Sequence, residues 1–137
     1  MNVPINYLAV VVAALASVAI GAAWYSPMLF GKPWMRMMGW TGGMPEEQKK
    51  AAAKSYALMF VGTLVMTYVL AHFIYIASVV TVTDALVLGF WIWLGFVATV
   101  MLGVVLWEGK PWKLYLLNVG YQLVSLLVAA VILALWV

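Results

Sequence analysis

Trp24-Tyr25-Ser26-Pro27-Met28-Leu29-Phe30-Gly31-Lys32-Pro33-Trp34 is the stretch on which the fold turns, and Gly109-Lys110-Pro111-Trp112 repeats part of it. Each copy stands where a long apolar run stops and positive charge begins. Pro27 biases Ser26 away from helical geometry and so ends the run before it. Trp24, Tyr25, Trp34 and Trp112 carry amphipathic rings suited to the headgroup layer of a bilayer. Lys32, Arg36 and Lys110 have apolar stems and charged heads that reach lipid phosphates. Pro33 and Pro111 lack an N–H and have a preset φ, which suits the first position of a new helix. The stretch reads as a membrane-surface turn, and the segments on either side of it read as membrane spans.

Composition agrees. Of 137 residues, 68% are hydrophobic and 8% charged, whereas a soluble domain is roughly half apolar and about a quarter charged. The excess marks an integral membrane protein, and the length allows a single domain. The net charge of +3 does not point to nucleic acid, because the charges cluster at the ends of apolar runs, where the positive-inside rule accounts for them. The chain has no cysteine, which excludes disulfides, thiolate nucleophiles and zinc–thiolate sites. Its first six residues carry no Lys or Arg, so the first apolar run is expected to be a retained span and not a cleaved signal.

Outward from the quoted stretch, four runs are long enough to cross a hydrocarbon core of about 30 Å. They fall at about 5–25, 55–78, 85–107 and 112–136. The expected fold is an all-α polytopic four-helix bundle. A short interfacial helix after the first span is expected to carry Trp34, Met37, Met38 and Trp40 on one side, with Lys32 and Arg36 nearby. Thr41-Gly42-Gly43 is expected to break that helix, and Pro45 to open the next, with Glu46 and Glu47 in its first turn and Glu46 paired to Lys50. Thr83 or Asp84 is expected to cap the third span. Ala13, Ser17 and Gly21 on the first span, and Gly95, Thr99 and Gly103 on the third, make matching small-residue faces, which suggests that these two spans are the close pair. The repeated Gly-Lys-Pro-Trp follows the first and third spans. It fits either a duplicated helix hairpin or convergence on one interfacial turn.

Trp-Tyr-Ser-Pro with Phe-Gly-Lys-Pro-Trp, the run Leu106–Leu114, and Asn118-Val119-Gly120-Tyr121-Gln122-Leu123-Val124-Ser125-Leu126 resemble the small four-span prokaryotic membrane proteins catalogued as domain of unknown function seventeen sixty-one. The resemblance covers nearly the whole chain. It implies a four-helix integral membrane protein and brings no activity, substrate or catalytic residue.

Among side chains, His72 is the only histidine and the one ionisable group well inside a span, where such a group is a functional candidate by default. Tyr68 and Tyr75 share its helix face. Asn118, Gln122 and Ser125 recur at i, i+4 and i+7 on the last span. Tyr68, His72, Asn118 and Gln122 are the candidate ligand or proton path. The alternative for all four is hydrogen-bond glue between helices. No phosphate loop, no pair of carboxylates in one span and no metal-ligand cluster is present in the sequence, so no cofactor is expected and nothing in the sequence supports an enzyme, although partners distant in sequence can still meet in space. The functional expectation is a small-solute or ion transporter or channel-like protein working as a homo-oligomer in the lipid bilayer. The alternative is a structural or accessory protein that binds lipid or another membrane protein. All 7 basic residues flank the first and third connections, which predicts cytoplasmic connections and both termini outside, and the resemblance implies that the membrane is a prokaryotic plasma membrane.

Overall fold

The computed structural model describes residues 3–40 and 45–136, and among these every regular element is helical. The elements are α1 (Tyr7–Trp24), α2 (Gly31–Met37), α3 (Glu46–Ile76), α4 (Val82–Trp93), α5 (Gly103–Leu106) and α6 (Trp112–Leu135). A π-helical turn (Leu94–Ala98) and a 3-10 turn (Val100–Leu102) join α4 to α5. Four helices are long and apolar enough to cross a membrane: α1, α3, the composite α4–α5 and α6. The protein is a multi-pass helical membrane protein.

Helix ends follow the local sequence. Asn6, in extended geometry, accepts the Ala9 N–H at 3.1 Å and starts α1. At the other end Ser26 Oγ–H donates to the Ala23 carbonyl at 2.7 Å. The chain then folds back on itself: the N–H groups of Leu29 and Gly31 both reach the Ser26 carbonyl, and that of Phe30 reaches Trp24. A Cβ at Gly31 would lie 2.4 Å from the Tyr25 carbonyl oxygen, so only glycine permits this approach. Pro45 caps α3, whose 31 residues span ~46 Å and overreach the hydrocarbon core. In its first turns Glu46 pairs with Lys49 at 3.7 Å, not with Lys50. The Thr41-Gly42-Gly43 break lies outside the described residues.

Three local expectations are corrected. The cap of α4 is Thr81, whose hydroxyl accepts the Asp84 N–H at 3.2 Å, so the third span begins earlier than Thr83. Its extended backbone aims the hydroxyl at the first turn. The third span is also not one continuous α-helix. Glycine and β-branched residues from Gly95 to Val105 favour regular α-helix weakly, and the Ala98 carbonyl finds an outside partner in Tyr115 Oη–H at 2.6 Å. Lastly, the two Gly-Lys-Pro-Trp copies differ in conformation. Gly31 to Trp34 lie inside α2, whereas Gly109 turns with φ +69° and Pro111 caps α6.

The last helix is the centre of the bundle. α1 and α4 both pack along α6, and α3 packs on α1 and α6. The expected pairing of the first and third spans is not what forms: the small face of α1 lies against α6. Ala9, Ala13, Ala129 and Ala130 are fully buried in that core. Alanine wins there because helix backbones in lipid associate by close approach, not by hydrophobic exclusion. Cross-contacts set direction. Asn6 meets Trp136, while Trp24 meets Leu117, so α1 and α6 are antiparallel. Trp93 meets Val119 and Tyr115 meets Ala98, so α4–α5 and α6 are antiparallel too. The Tyr7–Tyr68 contact does the same for α1 and α3. Both ends of the described chain and the α3–α4 turn therefore share one end of the bundle. The other end carries the α1–α3 and α5–α6 connections and every basic residue.

Candidate functional site

Two features stand out: a polar seam between α1 and α6 near the basic end, and a cleft at the opposite end.

The seam grows from four aromatic donors. Trp24 Nε1–H donates to the Leu117 carbonyl at 3.0 Å, and Trp93 Nε1–H to the Val119 carbonyl at 2.7 Å. Tyr25 Oη–H donates to Asn118 Oδ1 at 2.7 Å, and Tyr121 Oη–H to the Ser17 carbonyl at 3.0 Å. Around them Tyr25 makes edge contacts with Tyr121 (5.6 Å between centroids) and Trp34 (5.4 Å), and Trp34 continues to Trp40. Gly21 makes room for Tyr121, since a Cβ there would lie 3.0 Å from the phenolic oxygen. Ser17 buries its hydroxyl with no hydrogen-bond partner among the described residues. Beyond Ser17 and Ser125 polarity stops, and the seam continues as the alanine-rich core.

The four candidate path residues divide. Asn118 is in the seam, bound to Tyr25. Gln122, one turn on, is half-buried. Tyr68 and His72 lie on α3 in the opposite half of the bundle, with rings 4.7 Å apart at a steep angle and Tyr7 stacked on Tyr68. His72 Nδ1 is 2.9 Å from the Tyr68 carbonyl. A carbonyl can only accept, so Nδ1–H is the donor in this contact. Of the proposed anchors, Trp24, Tyr25 and Trp34 are half-buried in helix packing, while Lys32, Arg36 and Trp112 are exposed and Lys110 is half-exposed. Tyr121 and Trp93 carry seam bonds, and Tyr115 a bond to the third span, that reading for ionisable groups passes over. The signal for the two tyrosines is position: Tyr115, Asn118 and Tyr121 recur every three residues along α6.

The cleft has a volume of about 890 Å³, within the usual range of ligand pockets. Ile5, Ala9, Ala71, Ile74, Leu133 and Ala134 form its apolar walls, and Asn6, Tyr75, Ser78 and Trp136 also border it. Ser78 turns the chain there with φ 55°. Among the described residues no group of three or more His, Cys, Asp or Glu side chains is placed to hold a metal ion.

The family model described as Protein of unknown function (DUF1761) matches residues 8–134. The chain belongs to this family. The match takes in all four spans, the Trp24–Trp34 turn and the seam. No curated protein and no solved structure matches the chain. In this DUF1761 member the chemistry on offer is therefore that of the seam and the cleft: hydrogen bonding that fixes helices, and an apolar recess with a few polar groups at hand.

Proposed function

We propose that this protein is an accessory membrane protein that binds a lipid-class amphiphile in the cleft between α1, α3 and α6. The observation that carries this reading is the cleft itself. Its walls are aliphatic and suit acyl chain, while Asn6, Tyr75 and Ser78 offer hydrogen bonds to a headgroup or ester. In this reading the membrane is a prokaryotic plasma membrane, and the gathering of Lys and Arg at one end supports an orientation with the basic end cytoplasmic and the cleft toward the outer face. Single-cysteine labelling of the Cys-free chain tests that orientation. Thr83→Cys should react with a membrane-impermeant reagent from outside and Lys49→Cys should not. The reverse pattern overturns the assignment.

Native mass spectrometry tests the cleft. The protein released from detergent should retain a lipid adduct, and Ala71→Phe, which fills the cleft wall, should lose it while keeping its helical circular dichroism. Equal adducts in both proteins would end this reading.

A second reading, a homo-oligomeric transporter for a small solute, is favoured by one observation. Gly95 and Thr99 on the third span are exposed, and a Cβ at Gly95 meets nothing within 4 Å. A small-residue face left uncovered by its own chain is suited to a second copy. The expected signature is an oligomer in mild detergent that Gly95→Leu dissociates, and a monomer for the parent protein rejects it.

A further inference from the structure

The basic end holds a second surface, separate from the cleft. α2 is held on the bundle by one side. Gly31 is buried in the tight turn, and Trp34 is half-buried between Tyr25 and Trp40. Phe30, just before α2, packs on Trp24 at 4.8 Å. This aromatic anchoring fixes how α2 is rotated. Lys32 and Arg36, one turn apart and so on one face, are both exposed. Pro33, Trp34, Met35 and Met37 are half-buried. The helix thus turns its cationic face away from the protein.

Charge balance distinguishes this face from the other basic residues. Lys49, Lys50 and Lys54 project on the first turns of α3, where they share the helix with Glu46 and Glu47, and Lys49 is paired with Glu46. Among the described residues that is the one ion pair, so no described carboxylate pairs with Lys32 or Arg36. Lys110 and Lys113 add charge at the same end, next to exposed Trp107 and Trp112. Exposed tryptophans beside cations are the signature of headgroup depth, where the anions within reach are lipid phosphates.

We infer that the Lys32–Arg36 face of α2 is a docking surface for anionic phospholipid headgroups in the leaflet that bounds the basic end. Arg36 presents a planar fork that matches phosphate oxygens, and Lys32 supplies a point charge one turn away. Each basic group near an anionic surface contributes roughly tenfold or less to binding.

The test uses the full chain in nanodiscs of phosphatidylcholine with a minor fraction of phosphatidylglycerol, ejected into a mass spectrometer. Retained phosphatidylglycerol should exceed its share of the disc. Lys32→Gln/Arg36→Gln should reduce that enrichment on the order of tenfold, with total lipid retained in the cleft unchanged. Lys50→Gln/Lys54→Gln should leave it intact, and Lys32→Arg/Arg36→Lys should restore most of it. Enrichment that survives Lys32→Gln/Arg36→Gln, or that falls equally in both glutamine pairs, overturns the assignment. Enrichment abolished by millimolar inorganic phosphate also overturns it, because the site would then be one for a soluble anion. Ala71→Phe changes lipid number without changing headgroup preference, so failure at the cleft and failure at α2 read differently.

Discussion

Tyr25 Oη–H donates to Asn118 Oδ1 across 2.7 Å, tying the end of α1 to the first third of α6. The same phenol ring leans on Trp34 and Tyr121, so one side chain joins α1, α2 and α6. Interhelical hydrogen bonds in membranes contribute on average ~0.6 kcal/mol, with model values up to about 2 kcal/mol. Tyr25→Phe is therefore expected to lower stability by ~1 kcal/mol, much of it from the unpaired Asn118 amide. Asn118→Leu should cost about as much, and the double variant less than the sum of the two. Thermal unfolding in detergent reads this cycle. Strict additivity would mean that the two groups do not bond.

The two glycines of the repeated tetrapeptide are expected to respond differently to alanine. At Gly31 a Cβ would press on the backbone of Tyr25 and Ser26 at 2.4 and 2.7 Å. Gly31→Ala must open the turn that seats α2, and a loss of about 2 kcal/mol or more is expected, as for other overpacked sites. At Gly109 there is open space, and the penalty is only that of a left-handed φ in a residue with a Cβ, roughly 1 kcal/mol. Melting temperatures should fall further for Gly31→Ala. Parity would show that the turn can relax around a methyl group.

Gly21 and Gly103 carry the same sequence signal and have opposite surroundings. Gly21 faces the Tyr121 ring, whereas a Cβ at Gly103 meets only Trp107 at 3.6 Å. Gly21→Leu should separate α1 from α6, break the Tyr121–Ser17 bond and destabilise by about 1–3 kcal/mol. Gly103→Leu should leave the monomer within ~0.5 kcal/mol of the parent. Detergent melting of both variants decides, and a larger loss at Gly103 would contradict the packing described.

Ser17 buries a hydroxyl that no described group satisfies. Removing an unpaired polar group from such a site relieves its desolvation cost, about 1–3 kcal/mol in mutational data. Ser17→Ala keeps the small face that α6 needs, so it should match or exceed the parent in thermal stability. A clear loss would mean that Ser17 has a partner, such as a bound water, and that the seam is wetter than its side chains indicate.

What could be read along the chain was whatever depends on a residue and its near neighbours. Span length, the helix-stopping Pro27, aromatic rings at run ends and the gathering of Lys and Arg at alternate connections are local quantities, and from them came the all-helical four-span fold. The short α2 and the overlong α3 were legible for the same reason. The spacing of Ala13, Ser17 and Gly21 also announced a close helix contact, because small residues permit approach whatever the partner.

Which helix is the partner is a property of three dimensions. The third span offered an equal small-residue face, yet α6 took the place, because it alone also carries Tyr121, Asn118 and the carbonyls of Leu117 and Val119 where α1 and α4 can bond them. In lipid, apolar contact hardly discriminates between one helix and another, so pairing is settled by shape and hydrogen bonds, and neither can be seen in spacing alone. The same holds for Asn118 and His72. Their polarity was evident from the sequence, but only the antiparallel packing sends one to Tyr25 at the basic end and the other to the Tyr68 carbonyl in the opposite half. The cleft, walled by residues from both ends of the chain and from α3, exists only once those helices have met.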